Sequence, residues 1–177
     1  MRRIGWLLVA LCASSGVYAK RSDVYTEYNK FYVESEKDKA WEEVAVSLPA
    51  YPDADAQWRD LYISNTYKGK PKLMVNSIYI NTDKTVHYIL NQQSDQGFNN
   101  ISTEAMYCPN RTVKIYGYGD DVNKRWIQPK KSDWRLIGTT FNQLDGVRSV
   151  LYQTFCVDGL PRDQKELLER IKTRAMR

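Results

Sequence analysis

A single histidine and only three cysteines occur among 177 residues. One imidazole cannot build a histidine-rich metal site, and no H-E-x-x-H pair is present. Also missing are a glycine-rich phosphate loop and a G-x-S-x-G elbow, so the chain carries no signature of a P-loop nucleotidase or an α/β-hydrolase. Gly117-Tyr118-Gly119-Asp120-Asp121 offers carboxylates without the ligand spacing of a calcium loop, and it reads as a turn. No metal and no cofactor are expected. Long apolar runs are scarce: Ile4–Ala13 is far shorter than the ~20 residues a membrane-spanning helix needs, and nothing after residue 19 approaches that length. Charge of one sign is scarce too. The net +5 is spread along the chain rather than gathered in the basic stripe that nucleic-acid binding requires.

What is present at the N-terminus resembles an export signal. Arg2 and Arg3 precede the apolar run, and Val17-Tyr18-Ala19 forms an A-x-A-like cleavage site. Cleavage after Ala19 would leave 158 residues of net charge +3, a usual size for one domain with its own core. The expected location is the periplasm or beyond. A lipoprotein anchored at Cys12 is the alternative, although Leu11 stands where such signals want a small residue. Cys12 leaves with the leader, and Cys108 and Cys156 remain. An even pair in an oxidising compartment reads as one disulfide, against the alternative of two free buried thiols. It would close a loop of 48 residues, stabilising the fold by roughly 4 kcal/mol in the chain-entropy treatment.

Residues 20–39 are charged and carry Tyr25, Tyr28, Phe31 and Tyr32; they read as an arm, with helix over 23–38, that could dock on a partner. From residue 40 to 177 the pattern is that of one α+β domain. Strands are expected over 41–48, 61–64, 72–80, 85–93, 98–108 and 111–118, giving an antiparallel sheet of about five or six strands. Val44, Val46 and Leu48 would share one face of the first. Gln96-Gly97 and Pro109-Asn110 supply turns, and apolar residues on both faces of the central strands imply a sheet covered on both sides. Leu144, Val147, Val150, Leu151 and Phe155 recur at helical spacing over 142–155, though VLYQTFCV could also be a strand. After Gly159, Pro161 suits a helix first turn, and Leu160, Leu167, Leu168 and Ile171 form the stripe of a terminal helix that docks on its own domain. The C-terminal helices would close the sheet.

The sharpest candidates for chemistry are His87 and Glu104. If Gln93 pairs with Phe98, His87 lies opposite Glu104, and a carboxylate beside an imidazole could orient and charge it. The pair has no visible nucleophile, so a structural role on the sheet is the preferred reading. If Cys108 pairs with Arg111, Glu104 also lies beside Ile115. Thirteen tyrosines and five tryptophans supply a second set. Tyr107, Tyr116 and Tyr118, with Trp126 and Trp134, could line a cleft for a sugar or peptide by stacking, with plain core packing as the alternative. Asn100-Ile101-Ser102 and Asn110-Arg111-Thr112 match glycosylation sequons by chance.

Trp41 with the following segment and Pro49, then VHYIL, the Gly97 turn, ISTEAMYC, Trp126, Ser132-Asp133-Trp134 and YQTFC ending at Cys156 occur in an order that resembles the CNP-one-like domain family of uncharacterised secreted bacterial proteins. The resemblance covers roughly 41–156. It implies a periplasmic or envelope protein and supplies no activity. Where that family shows an arginine before the tyrosine of VHYIL, this chain has His87, so an arginine–carboxylate pair does not transfer onto 87 and 104. The resulting expectation is an exported, non-enzymatic binding or envelope-associated module whose partner, unknown in identity, is an envelope protein or cell-wall component. The alternative is a periplasmic hydrolase acting on a cell-wall or peptide substrate through Glu104 and His87.

Overall fold

The computed structural model describes residues 41–138 and 145–176. The expected export signal with Cys12, the expected 20–39 arm and the first residues of the expected 142–155 helix lie outside them.

Among the described residues, seven strands form one antiparallel sheet: β1 (Trp58–Asp60), β2 (Lys70–Ile80), β3 (Thr85–Gln93), β4 (Ile101–Tyr107), β5 (Thr112–Asp120), β6 (Arg125–Ile127) and β7 (Arg135–Leu136). The order is β1-β2-β3-β4-β5-β6, and β7 joins β5 further along, Thr112 opposite Leu136. Two helices follow, α1 (Gly146–Cys156) and α2 (Gln164–Arg174). The chain is therefore α+β, as its patterning implied, with one strand more than the upper count.

Tight turns set the registers. In the β3–β4 hairpin the amide of Ser94 bonds the carbonyl of Phe98, and Gly97 adopts φ +89° as the last of three loop residues. A three-residue loop of this kind needs a left-handed final position, which glycine adopts without a Cβ clash. The expected pairing of Gln93 with Phe98 is thus off by one residue. Tyr88, not His87, stands opposite Glu104, and His87 stands opposite Ala105. In the β4–β5 hairpin, the Arg111 amide bonds the Cys108 carbonyl and Glu104 pairs with Ile115, as expected. In β2 the register shifts between Met74 and Tyr79. There the Ser77 hydroxyl donates to the Met74 carbonyl at 2.7 Å and accepts the Ile89 amide at 3.0 Å, replacing a ladder bond that the bulge removes.

One sheet face packs on the helices. Leu73, Val86, Tyr88, Leu90, Met106 and Val113 meet Val147, Leu151, Phe155, Leu167 and Ile171 in the core. Cys108 in the β4–β5 turn is disulfide-bonded to Cys156 at the end of α1, with Cα atoms 5.3 Å apart. Helix α2 is capped by Asp163, whose carboxylate accepts the Glu166 amide at 2.8 Å, and Lys172 and Arg174 lie in its last turn. Pro161 therefore precedes the cap rather than filling the first turn. Of the expected stripe, Leu167 and Ile171 are buried while Leu168 stays exposed.

The other face is crossed by residues 41–52, which form no strand. This strap is held by side chains instead of a ladder. Trp41 stacks on Tyr107 at 4.2 Å between centroids and donates its indole N–H to the Asp83 carbonyl, while the Val44 amide donates to the Asp83 carboxylate. Trp41, Glu43, Val46 and Leu48 are half-buried and Val44 is exposed, so the strict alternation expected over 41–48 breaks between 43 and 46. The expected strand at 61–64 is likewise absent. The ladder ends at Asp60, because after Leu61 the Tyr62 amide turns away to the Ala175 carbonyl behind α2.

Candidate functional site

The two residues singled out for chemistry lie on opposite faces of the sheet. Glu104 is fully buried on the helix face. Its carboxylate accepts Nε and Nη2 of Arg148 at 2.8 and 2.6 Å, the Ser102 hydroxyl at 2.5 Å and the Tyr88 phenol at 3.0 Å. Arg148 also reaches Asp145 at 2.9 Å. Burial alone would lower the Arg148 pKa, but the Glu104 carboxylate reverses this and holds it well above its ordinary value. Burial, with Glu104 adding to it, pushes the Tyr88 phenol far up, so it stays a donor. Every strong valence of this cluster is used internally. It fixes α1 on the sheet and offers nothing to a substrate.

His87 is buried on the strap face, stacked 4.9 Å from Tyr79 and tilted against Tyr116 at 5.6 Å. The Thr85 hydroxyl donates its one hydrogen to Asp83 at 2.6 Å, so it must accept from His87 Nε2 at 2.9 Å. The network thereby places a proton on Nε2. Burial lowers the His87 pKa, against opposing pulls from Asp83 and Glu43. The gap beside it, lined by Val46, Leu48 and Tyr116 among others, holds about 20 Å³, room for a water and no substrate.

The five aromatics do not share one cleft. Tyr107, Tyr116 and Trp134 gather beneath the strap, where Glu43 is the hub. It accepts Lys114 Nζ at 2.7 Å, the Tyr116 phenol at 2.8 Å and the Trp134 indole at 2.9 Å. Burial would raise the Glu43 carboxyl, but these bonds outweigh it and hold the group below the usual carboxylate range. Tyr118 borders a separate recess of about 200 Å³ with Ile115 and Ser132. Trp126 donates to the Pro49 carbonyl at 2.8 Å and packs on Tyr51 at 5.0 Å.

Tyr51 leads to a cleft that sequence reasoning missed. At the end of the strap face, about 250 Å³ is enclosed by Tyr51, Trp58, Asn91, Gln93, Asn99 and Asp121, with Lys72 and Lys124 at its walls. Six separate segments converge there, which explains why no local motif announces it. The amides are wired together: Asn91 Nδ2 and Gln93 Nε2 both donate to Asn99 Oδ1, at 2.9 and 3.0 Å, and Asn99 Nδ2 donates to Asp121 at 2.9 Å. Asp121 also takes Lys124 Nζ at 2.5 Å, and the bonds from Lys124 and Asn99 hold its carboxyl low. Burial, then Asp121, pushes the Tyr51 phenol up to about 12. Gly119 makes room for that phenol, since a Cβ there would lie 3.0 Å from the Tyr51 oxygen and 2.9 Å from Ile101 Cβ. Among the described residues, no group of three or more His, Cys, Asp or Glu side chains is arranged to hold a metal ion, and no helix is long and apolar enough to cross a membrane.

Comparison with known proteins gives the chain a family. Its sequence is 36% identical to cryptic neisserial protein 1 of Neisseria gonorrhoeae, in an alignment covering 100% of this chain and 95% of that protein. No solved structure matches it. The conserved-family model describing the CNP1-like family matches residues 36–172, which takes in the whole sheet and nearly all of both helices. With its disulfide, strap and sheet all inside the matched span, the chain belongs to the CNP1-like family.

Proposed function

We propose that this protein is an exported, non-enzymatic binding module associated with the cell envelope. The observation that carries the reading is the cleft at the end of the strap face. Its side chains come from several segments, and its amides are held by one another and by Asp121, a preorganisation of the kind that recognition rewards. Export is supported by the leader-like first nineteen residues and by the Cys108–Cys156 disulfide, a crosslink that persists in oxidising compartments. A hydrolase built on His87 and Glu104 loses its premise, because the sheet separates the two groups and both are buried.

The test is made on the chain expressed in its natural host. Envelope fractions should contain a product lacking residues 1–19, two hydrogens lighter than the reduced chain. Such a product should also show no turnover against cell-wall and peptide substrates. A cytosolic product that keeps its leader and both thiols, or turnover abolished by His87→Gln, would overturn the proposal.

A further inference from the structure

Both lysines at the cleft lie beside carboxylates, and one carboxylate is bound by a backbone amide. Lys124 is paired with Asp121 at 2.5 Å, Lys72 lies 3.7 Å from Asp60, and the Asp53 carboxylate takes the Asp55 amide at 3.0 Å. Apart from the Asp53 carboxylate, what remains to meet a ligand is neutral: the rings of Tyr51 and Trp58, the apolar edge of Ile101, and the amides of Asn91, Gln93 and Asn99. Asn91 is 5% exposed, and of its two Nδ2 hydrogens only one is used, on Asn99. Gln93 spends its Nε2 on Gly97 and Asn99, leaving Oε1 as an acceptor. One amide hydrogen from Asn91 and one amide oxygen from Gln93, set beside aromatic rings, match a ligand with neighbouring hydroxyls and an apolar C–H face. An extended peptide is a poorer fit, because the cleft lies on a sheet face where the β3 backbone is already paired with both β2 and β4 and cannot accept another strand.

From this convergence of neutral amides and aromatic rings we infer that the cleft binds saccharide, one ring at a time, with Tyr51 and Trp58 against the sugar face and Asn91 and Gln93 on its hydroxyls. Its volume of about 250 Å³ falls just below the ~300–1,000 Å³ of sites for drug-sized ligands, as a single-ring subsite should. This inference rests on the binding-module reading and narrows its ligand class.

The experiment uses the full chain, expressed with its leader, processed by the host and labelled with 15N. Maltotriose, tri-N-acetylchitotriose and a capped neutral dipeptide are titrated separately while the side-chain amide signals of Asn91, Gln93 and Asn99 are followed. At least one trisaccharide should move these signals at millimolar concentration. Gln93→Ala, on the half-exposed cleft wall, should weaken that binding about tenfold, the equivalent of one hydrogen bond, with an unchanged urea midpoint. Signals unmoved by both trisaccharides overturn the inference. If the dipeptide moves them instead, the saccharide class falls while the binding-module reading stands. If the processed protein proves cytosolic, the module reading falls whatever the sugars do. Should Gln93→Ala shift the urea midpoint, Trp58→Leu on the edge strand β1 is the second variant. It removes one stacking ring from the cleft, so trisaccharide binding should weaken about tenfold or more, and undiminished binding would overturn the inference.

Discussion

Arg148→Met strips the buried Glu104 carboxylate of its counter-ion while keeping a side chain of similar length. Glu104 is 0% exposed and Arg148 14% exposed, so water screens the pair little. The variant leaves the carboxylate with the Ser102 hydroxyl and the Tyr88 phenol only. Breaking a buried pair from one side typically costs ~3–5 kcal/mol. The cost has a ceiling, because the carboxyl can take up a proton instead. Neutralising a group with an unfolded pKa of about 4.3 costs about 1.4 kcal/mol per unit of pH above that value, or roughly 3.7 kcal/mol at pH 7 and about 1 kcal/mol at pH 5. The loss is therefore full at neutral pH and shrinks as pH falls toward the ordinary glutamate range. Urea unfolding of wild type and variant at pH 7 and pH 5 measures it. The expected gap is ~3–4 kcal/mol at pH 7, narrowing to about 1–2 kcal/mol at pH 5 once the lost packing and the Asp145 contact are included. Glu104→Gln in the same background should recover most of the neutral-pH loss. A gap below about 1 kcal/mol at pH 7, a gap that does not narrow with acid, or a double variant no better than the single would refute the account of this pair.

For His87, buried and neutral with a depressed pKa, the linkage runs the other way. Its contribution is complete above an unfolded pKa of about 6.5 and is lost as pH falls from there through the folded value; His87→Gln should remove that acid-side slope from urea midpoints, and 15N NMR at neutral pH should find the proton on Nε2, a proton on Nδ1 contradicting the assignment. Cys108→Ser with Cys156→Ser should lower stability by ~2–5 kcal/mol, read as the difference between urea midpoints, and reductant should lower the wild type equally without affecting the double variant. Glu43→Gln removes the charge that binds Lys114, Tyr116 and Trp134. It should cost roughly 1.5–3 kcal/mol and speed hydrogen exchange selectively at the amides of 41–50, whereas uniform acceleration over the whole sheet would mean that the strap is no separate unit.

How much of this was legible in the sequence follows from which interactions are local. Val86, Tyr88 and Leu90 alternate with Thr85, His87 and Ile89 because a strand buried on both faces needs apolar or satisfied residues at every step, and Val147, Leu151 and Phe155 recur because a helix buries one stripe. Those periods are printed along the chain, and so is the cysteine pair. The β3–β4 register is not, because it turns on whether the loop before Phe98 holds three residues or four, and a glycine permits either. That single step moved His87 and Glu104 to opposite faces and gave Glu104 to Arg148, 44 residues away, a distance in sequence at which no spacing rule operates. The strap fails as a strand for a related reason. Its alternation is real as far as Glu43, but its partners are Tyr107, Lys114, Tyr116 and Trp134 rather than a neighbouring ladder, so a period of two marks a half-buried extended chain and says nothing about who supplies the hydrogen bonds. The cleft lies at the far end of the same argument. Asn91, Gln93 and Asn99 are ordinary hairpin amides until the turn brings them together, and Tyr51 reaches them only because Gly119, on a strand that follows much later, has no side chain in its way.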